Sequence, residues 1–195
     1  MWRTPLARVA WFLTFSAMLG MSLPIAAQSP TYGLGRAATP SEIKAWDDAI
    51  HPDGRELPPG SGMATEGAKV YAAKCASCHG KTGTEGPNDK LVGGQGTLNT
   101  AKPVKTVGSF WPYATTVWDY INRSMPFDKP GSLSPDEVYS VTAYVLSLNK
   151  IIREDEVMNA KTLPQVRMPN RDGFIGDPRP DWESPHTRTT EPSKQ

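Results

Sequence analysis

Cysteine is scarce in this sequence, and neither sign of charge is in excess. The two cysteines among 195 residues lie together in the stretch YAAKCASCHGKTG, so none is left for a second thiol site. Twenty-one Lys and Arg stand against 20 Asp and Glu, which leaves no basic excess for coating nucleic acid. No run of about 20 apolar residues lies in the body of the chain, which predicts that the mature protein has no membrane span.

Residues 1–27 have the pattern of an export signal. Arg3 and Arg8 precede an apolar run from Val9 to Leu23, and small residues follow up to a cleavage point after Ala27. The alternative, an uncleaved anchor helix, is disfavoured because the apolar run is shorter than the about 20 residues that span a bilayer. We therefore expect a periplasmic protein with no membrane insertion after signal cleavage.

The segment Cys75-x-x-Cys78-His79 carries the chemistry. An oxidising compartment makes a disulfide natural, yet so short a loop constrains the unfolded chain very little. A thioredoxin-like pair needs a βαβ pattern that the sequence lacks, and zinc needs two more ligands. The pattern that uses all three residues is c-type haem attachment, with two thioether bonds from the cysteines and His79 as iron ligand.

Two helices are predicted to flank a region without strand alternation, which indicates an all-α body. Thr65 is a possible N-cap for a helix that runs into the cysteine motif. Further on, Ser134, Pro135 and Glu137 form a capping-box pattern. The apolar stripe of this second helix consists of Val138, Val141, Val145 and Leu148.

The second axial position of a haem iron decides between an electron carrier and an oxygen- or peroxide-activating enzyme. Four methionines follow the export signal: Met63, Met125, Met158 and Met168. Met125 follows a predicted helix over about residues 113–123 and precedes Pro126, so we expect it to be the iron ligand. The alternatives are that Met125 is a gap-filling thioether of the core, that Met168 or His51 binds, or that the position stays open.

With these elements the chain resembles a class I cytochrome c over about residues 63–150. The resemblance implies a class I cytochrome c fold in which the first and last helices cross, with Gly67 and Tyr71 facing Tyr144 and Leu148. It also implies a covalently bound haem c held by Cys75, Cys78, His79 and Met125.

The phrases YGLGRAATPSEIKAWD and PVKTVGSFWPYATTVWDYINRSMPF give a closer resemblance, to the cytochrome subunit of Sox sulfane dehydrogenase and to monohaem cytochromes paired with sulfite dehydrogenases. The resemblance implies electron transfer from a molybdenum-cofactor sulfur dehydrogenase catalytic subunit to a downstream cytochrome c. The Sox subunit typically carries two haems, whereas this chain has one Cys-x-x-Cys-His. The alternatives are a haem enzyme with an open distal site, or a haem-containing sensor or interaction module.

The predicted organisation is a signal peptide (1–27), an N-terminal arm with a short helix (28–62), a cytochrome c domain (63–150) and a Pro-rich C-terminal arm (151–195). The arms are too irregular to form a second core, so they either wrap a surface as extended chain or act as linkers. Phe174 and Ile175 are residue types usually buried, which favours docking of about residues 160–182.

Several neighbours of the motif have predicted roles. The Pro87 carbonyl is a candidate acceptor for the His79 Nδ1 proton. Arg123 either offsets the negative charge of a haem propionate or is exposed to solvent. Four aromatic residues either line the haem or form ordinary core: Trp111, Tyr113, Trp118 and Tyr120.

Overall fold

The computed structural model describes residue 32 and residues 34–47 and 49–176. The predicted signal peptide and the end of the C-terminal arm lie outside the described residues. The helices are α1 (Pro40–Trp46), α2 (Ala64–Lys74), α3 (Ala76–His79), α4 (Ala114–Ser124) and α5 (Pro135–Leu148), with a 3₁₀ turn at Leu163–Gln165. Two short strands, β1 (Ser61–Gly62) and β2 (Met158–Asn159), pair antiparallel. The all-α prediction is confirmed, and within the described ranges no helix is long and apolar enough to cross a membrane.

The chain divides between Ile43 and Lys44 into two units. In the first, the Arg36 guanidinium donates to the Glu42 carboxylate at 2.8 Å, and Glu42 also accepts the Thr39 amide at 2.8 Å. These bonds organise the start of α1, whose predicted helical character is confirmed. None of the α1 side chains is buried.

Helices α2 and α5 cross where Gly67 meets Ser140 and Tyr144. A Cβ at Gly67 would overlap the Ser140 carbonyl group and lie 2.8 Å from the Tyr144 Cβ. Next to this contact the rings of Tyr71 and Tyr144 lie 5.1 Å apart. The predicted crossing is confirmed for these residues, and it fixes the end of α2 that carries the cysteine motif.

Helix α5 begins as the sequence predicts. The Ser134 hydroxyl accepts the Glu137 amide at 3.3 Å, and the Glu137 carboxylate accepts the Ser134 amide at 3.0 Å, with Pro135 at the first helical position. The predicted Thr65 cap of α2 is wrong: Met63 is the N-cap, with no side-chain cap bond. The cause is the β1 strand, which delivers the chain in extended conformation directly to Met63, so Thr65 already lies inside the helix.

Part of the C-terminal arm packs into the core of the second unit. Met158, Leu163 and Met168 have exposed fractions of 2%, 0% and 1%, and Met158 pairs with Gly62 across the two strands. Because these side chains fill the core, residues 158–168 are not a loose linker. Phe174 and Ile175, the residue types that favoured docking of this arm, are 54% and 92% exposed, and the Phe174 ring lies 5.3 Å from the Phe110 ring.

Candidate functional site

The cysteine motif lies where α2 ends and α3 begins. Cys75 is both the C-cap of α2 and the N-cap of α3, with its amide donating to the Tyr71 carbonyl at 2.9 Å. The His79 amide donates to the Cys75 carbonyl at 3.0 Å, which closes one helical turn. Gly80 then ends α3 at φ 79°, a conformation that glycine adopts without strain. The local fold therefore presents Cys75, Cys78 and His79 from a single turn.

All four predicted site residues line one cleft of about 810 Å³. Cys75, Cys78 and His79 come from the turn that follows α2, and Met125 is the C-cap of α4. The volume is within the range of about 300–1,000 Å³ that is usual for ligand and cofactor sites. Apolar side chains complete much of the lining, among them Leu91, Val107, Ile121, Val141 and Val145.

The His79 ring is fixed by one backbone carbonyl. Its Nδ1 lies 2.8 Å from the Asp89 oxygen. A carbonyl oxygen can only accept, so Nδ1 carries a proton, and in the neutral ring Nε2 is then the nitrogen with the lone pair that a metal-ligating histidine needs. The prediction that Pro87 supplies this carbonyl is wrong, because loop closure brings the peptide two residues later to the ring.

Glu85 holds the loop that follows the motif. Its carboxylate accepts the amides of Thr82 and Thr84, at 3.1 and 3.0 Å, and both of their hydroxyls. The hydrogen bond from the Thr82 hydroxyl is the largest influence, and together these bonds lower the pKa of Glu85 to about 2. Behind the loop, a Cβ at Gly86 would lie 2.5 Å from the Gly80 nitrogen, so the two backbone stretches are in contact.

Tyr71 ties α2 to the end of the motif. Its hydroxyl donates to the Gly80 carbonyl at 2.9 Å, and the side chain is buried. Burial raises the pKa of Tyr71 to about 12, so the hydroxyl stays protonated as a donor near neutral pH.

Met125 is placed differently from the other methionines. Its amide donates to the Ile121 carbonyl at 3.0 Å, and the residue lines the cleft. Met158 and Met168 are buried in the core, and Met63 is the N-cap of α2. None of these three is among the residues that line the cleft, and neither is His51.

The aromatic residues separate into three roles. Trp111 and Tyr120 line the cleft and contact each other with ring centroids 5.6 Å apart. Trp118 is ordinary core, 1% exposed and 5.3 Å from the Tyr139 ring. The Arg171 Cζ lies 4.2 Å from the centroid of the Tyr113 ring, so Tyr113 contacts the C-terminal arm and helps to hold it.

Arg123 forms an ion pair with Asp119, one turn earlier on α4. The Asp119 side chain is only 9% exposed and also accepts the Ile50 amide at 3.4 Å. This arginine therefore has a carboxylate partner in the protein itself, rather than being simply solvated.

The structure around Cys75 and Cys78 argues against a disulfide, a redox-active pair and a zinc site. Neither cysteine is in a disulfide, and burial raises the pKa of Cys75 to about 11, whereas reactive cysteine pairs have lowered values. Over the described part of the chain, no group of three or more His, Cys, Asp or Glu is arranged to hold a metal ion. Two thiols, one imidazole with a free Nε2 and one thioether around an apolar cleft fit a covalently attached haem.

Asn149 supports the site from behind, and it was not identified from the sequence. Its buried side chain binds the loop over residues 91–93, which adjoins the Asp89 carbonyl. The one available signal was an asparagine directly after the last helix, which is equally typical of an ordinary helix end.

Comparison with known proteins gives a consistent set of relatives. The family model described as cytochrome c oxidase, cbb3-type, subunit III, matches residues 62–145. A thiosulfate dehydrogenase of Psychrobacter arcticus is 29% identical over 96 residues, 46% of this chain and 27% of that protein, so the chain spans about a quarter of that curated relative. The crystal structure of the sulfane dehydrogenase SoxCD from Paracoccus pantotrophus contains a chain that matches with TM-score 0.67 and 45% identity, covering 82% of this chain and 79% of that chain.

Proposed function

The chain belongs to the c-type cytochromes, and we propose that it is the one-haem electron-transfer subunit of a sulfur dehydrogenase. The observation that carries the proposal is the single cleft shared by Cys75, Cys78, His79 and Met125. One Cys-x-x-Cys-His motif in the whole sequence supports one haem.

Each site residue has one role in this proposal. Haem c, when bound, would supply an iron that changes between ferric and ferrous states. Cys75 and Cys78 would hold the macrocycle by thioether bonds, and His79 Nε2 and the Met125 sulfur would be the iron ligands. The Asp89 carbonyl keeps the His79 proton on Nδ1, and apolar side chains on the cleft wall would pack against the macrocycle.

The proposed electron donor is a molybdenum-cofactor sulfur dehydrogenase catalytic subunit, and the proposed acceptor is a downstream cytochrome c. The relatives support a sulfur compound as the electron source, since one is a sulfane dehydrogenase and another a thiosulfate dehydrogenase. We propose that both partners are in the periplasm, and that this chain is exported there with removal of residues 1–27. On this proposal the chain is not an enzyme by itself.

Two measurements test the proposal. First, haem that stays with the polypeptide under denaturing conditions, and is lost in Cys75→Ala with Cys78→Ala, is expected for covalent attachment. Haem released from the wild type by denaturation would contradict it.

Second, sulfite or thiosulfate is expected to reduce the ferric protein only when the molybdenum subunit is present. Reduction without that subunit would indicate that the chain acts on the sulfur compound itself. No reduction in its presence would remove this partner from the proposal.

A further inference from the structure

We propose that Asn149, directly after α5, is a positioning residue that controls how strongly His79 donates to the haem iron. It would do so by fixing the backbone segment that carries the Asp89 carbonyl. This inference rests on the proposed haem function and assigns a role to a residue outside the four predicted ligands.

Asn149 uses both ends of its side-chain amide. Nδ2 donates to the Leu91 carbonyl at 3.0 Å and to the Val145 carbonyl at 2.9 Å, while Oδ1 accepts the Gly93 amide at 3.1 Å. The orientation of the amide is unambiguous because two carbonyls face Nδ2 and an N–H faces Oδ1. The residue is 6% exposed, so water cannot readily replace these bonds.

The Asp89 carbonyl lies between two anchors. Before it, the Asn88 amide donates to the Cys78 carbonyl at 3.0 Å. After it, the Leu91 amide donates to the Gly83 carbonyl at 2.8 Å, and the Leu91 carbonyl is held by Asn149. Asn149 thus joins the end of α5 by hydrogen bonds to the segment that binds His79.

The arrangement is also closely packed on the far side of Asn149. A Cβ at Gly108 would lie 2.6 Å from the Asn149 Cγ and 2.8 Å from the Gln95 Nε2, so only a glycine leaves room for the amide there. If Asn149 is replaced by an apolar residue, the Leu91 carbonyl and the Gly93 amide lose their side-chain partner. We expect the segment to move toward a new partner and to draw the Asp89 carbonyl away from His79.

Loss of the hydrogen bond from His79 to Asp89 would change the reduction potential of the haem iron. A hydrogen bond from Nδ1 to a carbonyl makes the ring a stronger donor, which favours the ferric state. Weakening this bond therefore favours the ferrous state and raises the reduction potential. We expect about a threefold change in the ratio of ferrous to ferric protein at a fixed potential, which is about 28 mV for one electron.

The test uses the haem-loaded protein with Asn149→Ala and Asn149→Leu, the second of which keeps most of the side-chain volume. Asn170→Ala is the matched control, since Asn170 Nδ2 donates to the Phe110 carbonyl at 2.8 Å and has no contact with the 88–93 segment among its hydrogen bonds. The measurements are the midpoint potential, the thermal midpoint, and the exchange rate of the His79 Nδ1 proton by NMR.

In both Asn149 variants we expect a midpoint potential above that of the wild type, and exchange of the His79 Nδ1 proton at least about tenfold faster. Asn170→Ala is expected to lower the thermal midpoint with the potential unchanged. Asn149 variants that lose thermal stability but keep the wild-type potential and exchange rate would overturn the inference. If Asn149→Ala fails to fold, the Asn149→Leu protein provides the test. If neither variant folds, the wild-type protein provides it: a His79 Nδ1 proton that exchanges as fast as in a free imidazole would overturn the inference. A wild-type protein with no attached haem would instead overturn the proposed function.

Discussion

The Gly67→Ala substitution tests the helix crossing on which the site depends. Alanine has a higher helix propensity than glycine by about 1 kcal/mol, so propensity alone predicts a more stable protein. The structure predicts the opposite, because the new Cβ would be directed at the backbone of Ser140 on α5. Backbone cannot rotate away as the end of a side chain can.

The size of the effect follows from this contact. The new Cβ would lie 2.5 Å from the Ser140 carbonyl carbon, whereas real Cβ atoms keep at least 3.0 Å, and the carbonyl oxygen is nearer still. Helices α2 and α5 must therefore separate by more than half an ångström, and a gap of 0.5–1 Å forfeits about a quarter to a half of each dispersion contact. Overpacking of this kind costs about 3 kcal/mol at the upper end of its usual range, so after the propensity gain we expect a net loss of about 2 kcal/mol.

Thermal and guanidinium unfolding of the haem-loaded protein, followed by far-ultraviolet circular dichroism, measures the change. The expected loss corresponds to a fall of about 8 °C in the thermal midpoint for a fold of this size. Ala72→Gly, at an exposed position of the same helix, measures the propensity difference alone and is expected to cost about 1 kcal/mol. A Gly67→Ala protein as stable as the wild type, or more stable, would refute the close crossing of the two helices.

Two further predictions concern the motif and its loop. Tyr71→Phe removes the hydrogen bond to the Gly80 carbonyl and is expected to lower the free energy of unfolding by about 1 kcal/mol in guanidinium, and an unchanged midpoint would argue that the bond is not formed. Because the folded pKa of Glu85 is lowered from 4.5 to about 2, its carboxylate stabilises the loop above about pH 4.5 and loses that effect as the pH falls toward 2. Glu85→Gln is therefore expected to flatten the dependence of the thermal midpoint on pH between those values, whereas parallel curves for the two proteins would contradict the loop hydrogen bonds.

The features that the sequence predicted well depend on residues close together in the chain. The capping box needs only Ser134 and Glu137, three positions apart, and the single turn from Cys75 to His79 depends on local backbone bonds. The crossing at Gly67 is a contact between distant segments, and it was predicted from the resemblance to class I cytochromes c rather than from local pattern.

The features that the sequence did not predict depend on loop closure. Every residue has a carbonyl, so nothing in the sequence distinguishes Asp89 from Pro87 as the acceptor for His79. Asn149 binds Gly93 and Leu91, which lie 56 and 58 positions earlier in the chain, and no local pattern encodes contacts over such distances. The proline content of the C-terminal arm indicated irregular backbone correctly, but composition does not say that Met158 and Met168 fill core positions.

The optical spectrum of the purified protein, in its ferric and ferrous forms, tests the central claim most directly. We predict a low-spin ferric haem with the weak long-wavelength band of methionine ligation. The band is expected to vanish in Met125→Ala and to remain in Met63→Ala, which removes a methionine outside the cleft. A high-spin wild-type spectrum, or a Met125→Ala spectrum identical to the wild type, would contradict the account of the cleft as a site with His79 and Met125 as iron ligands.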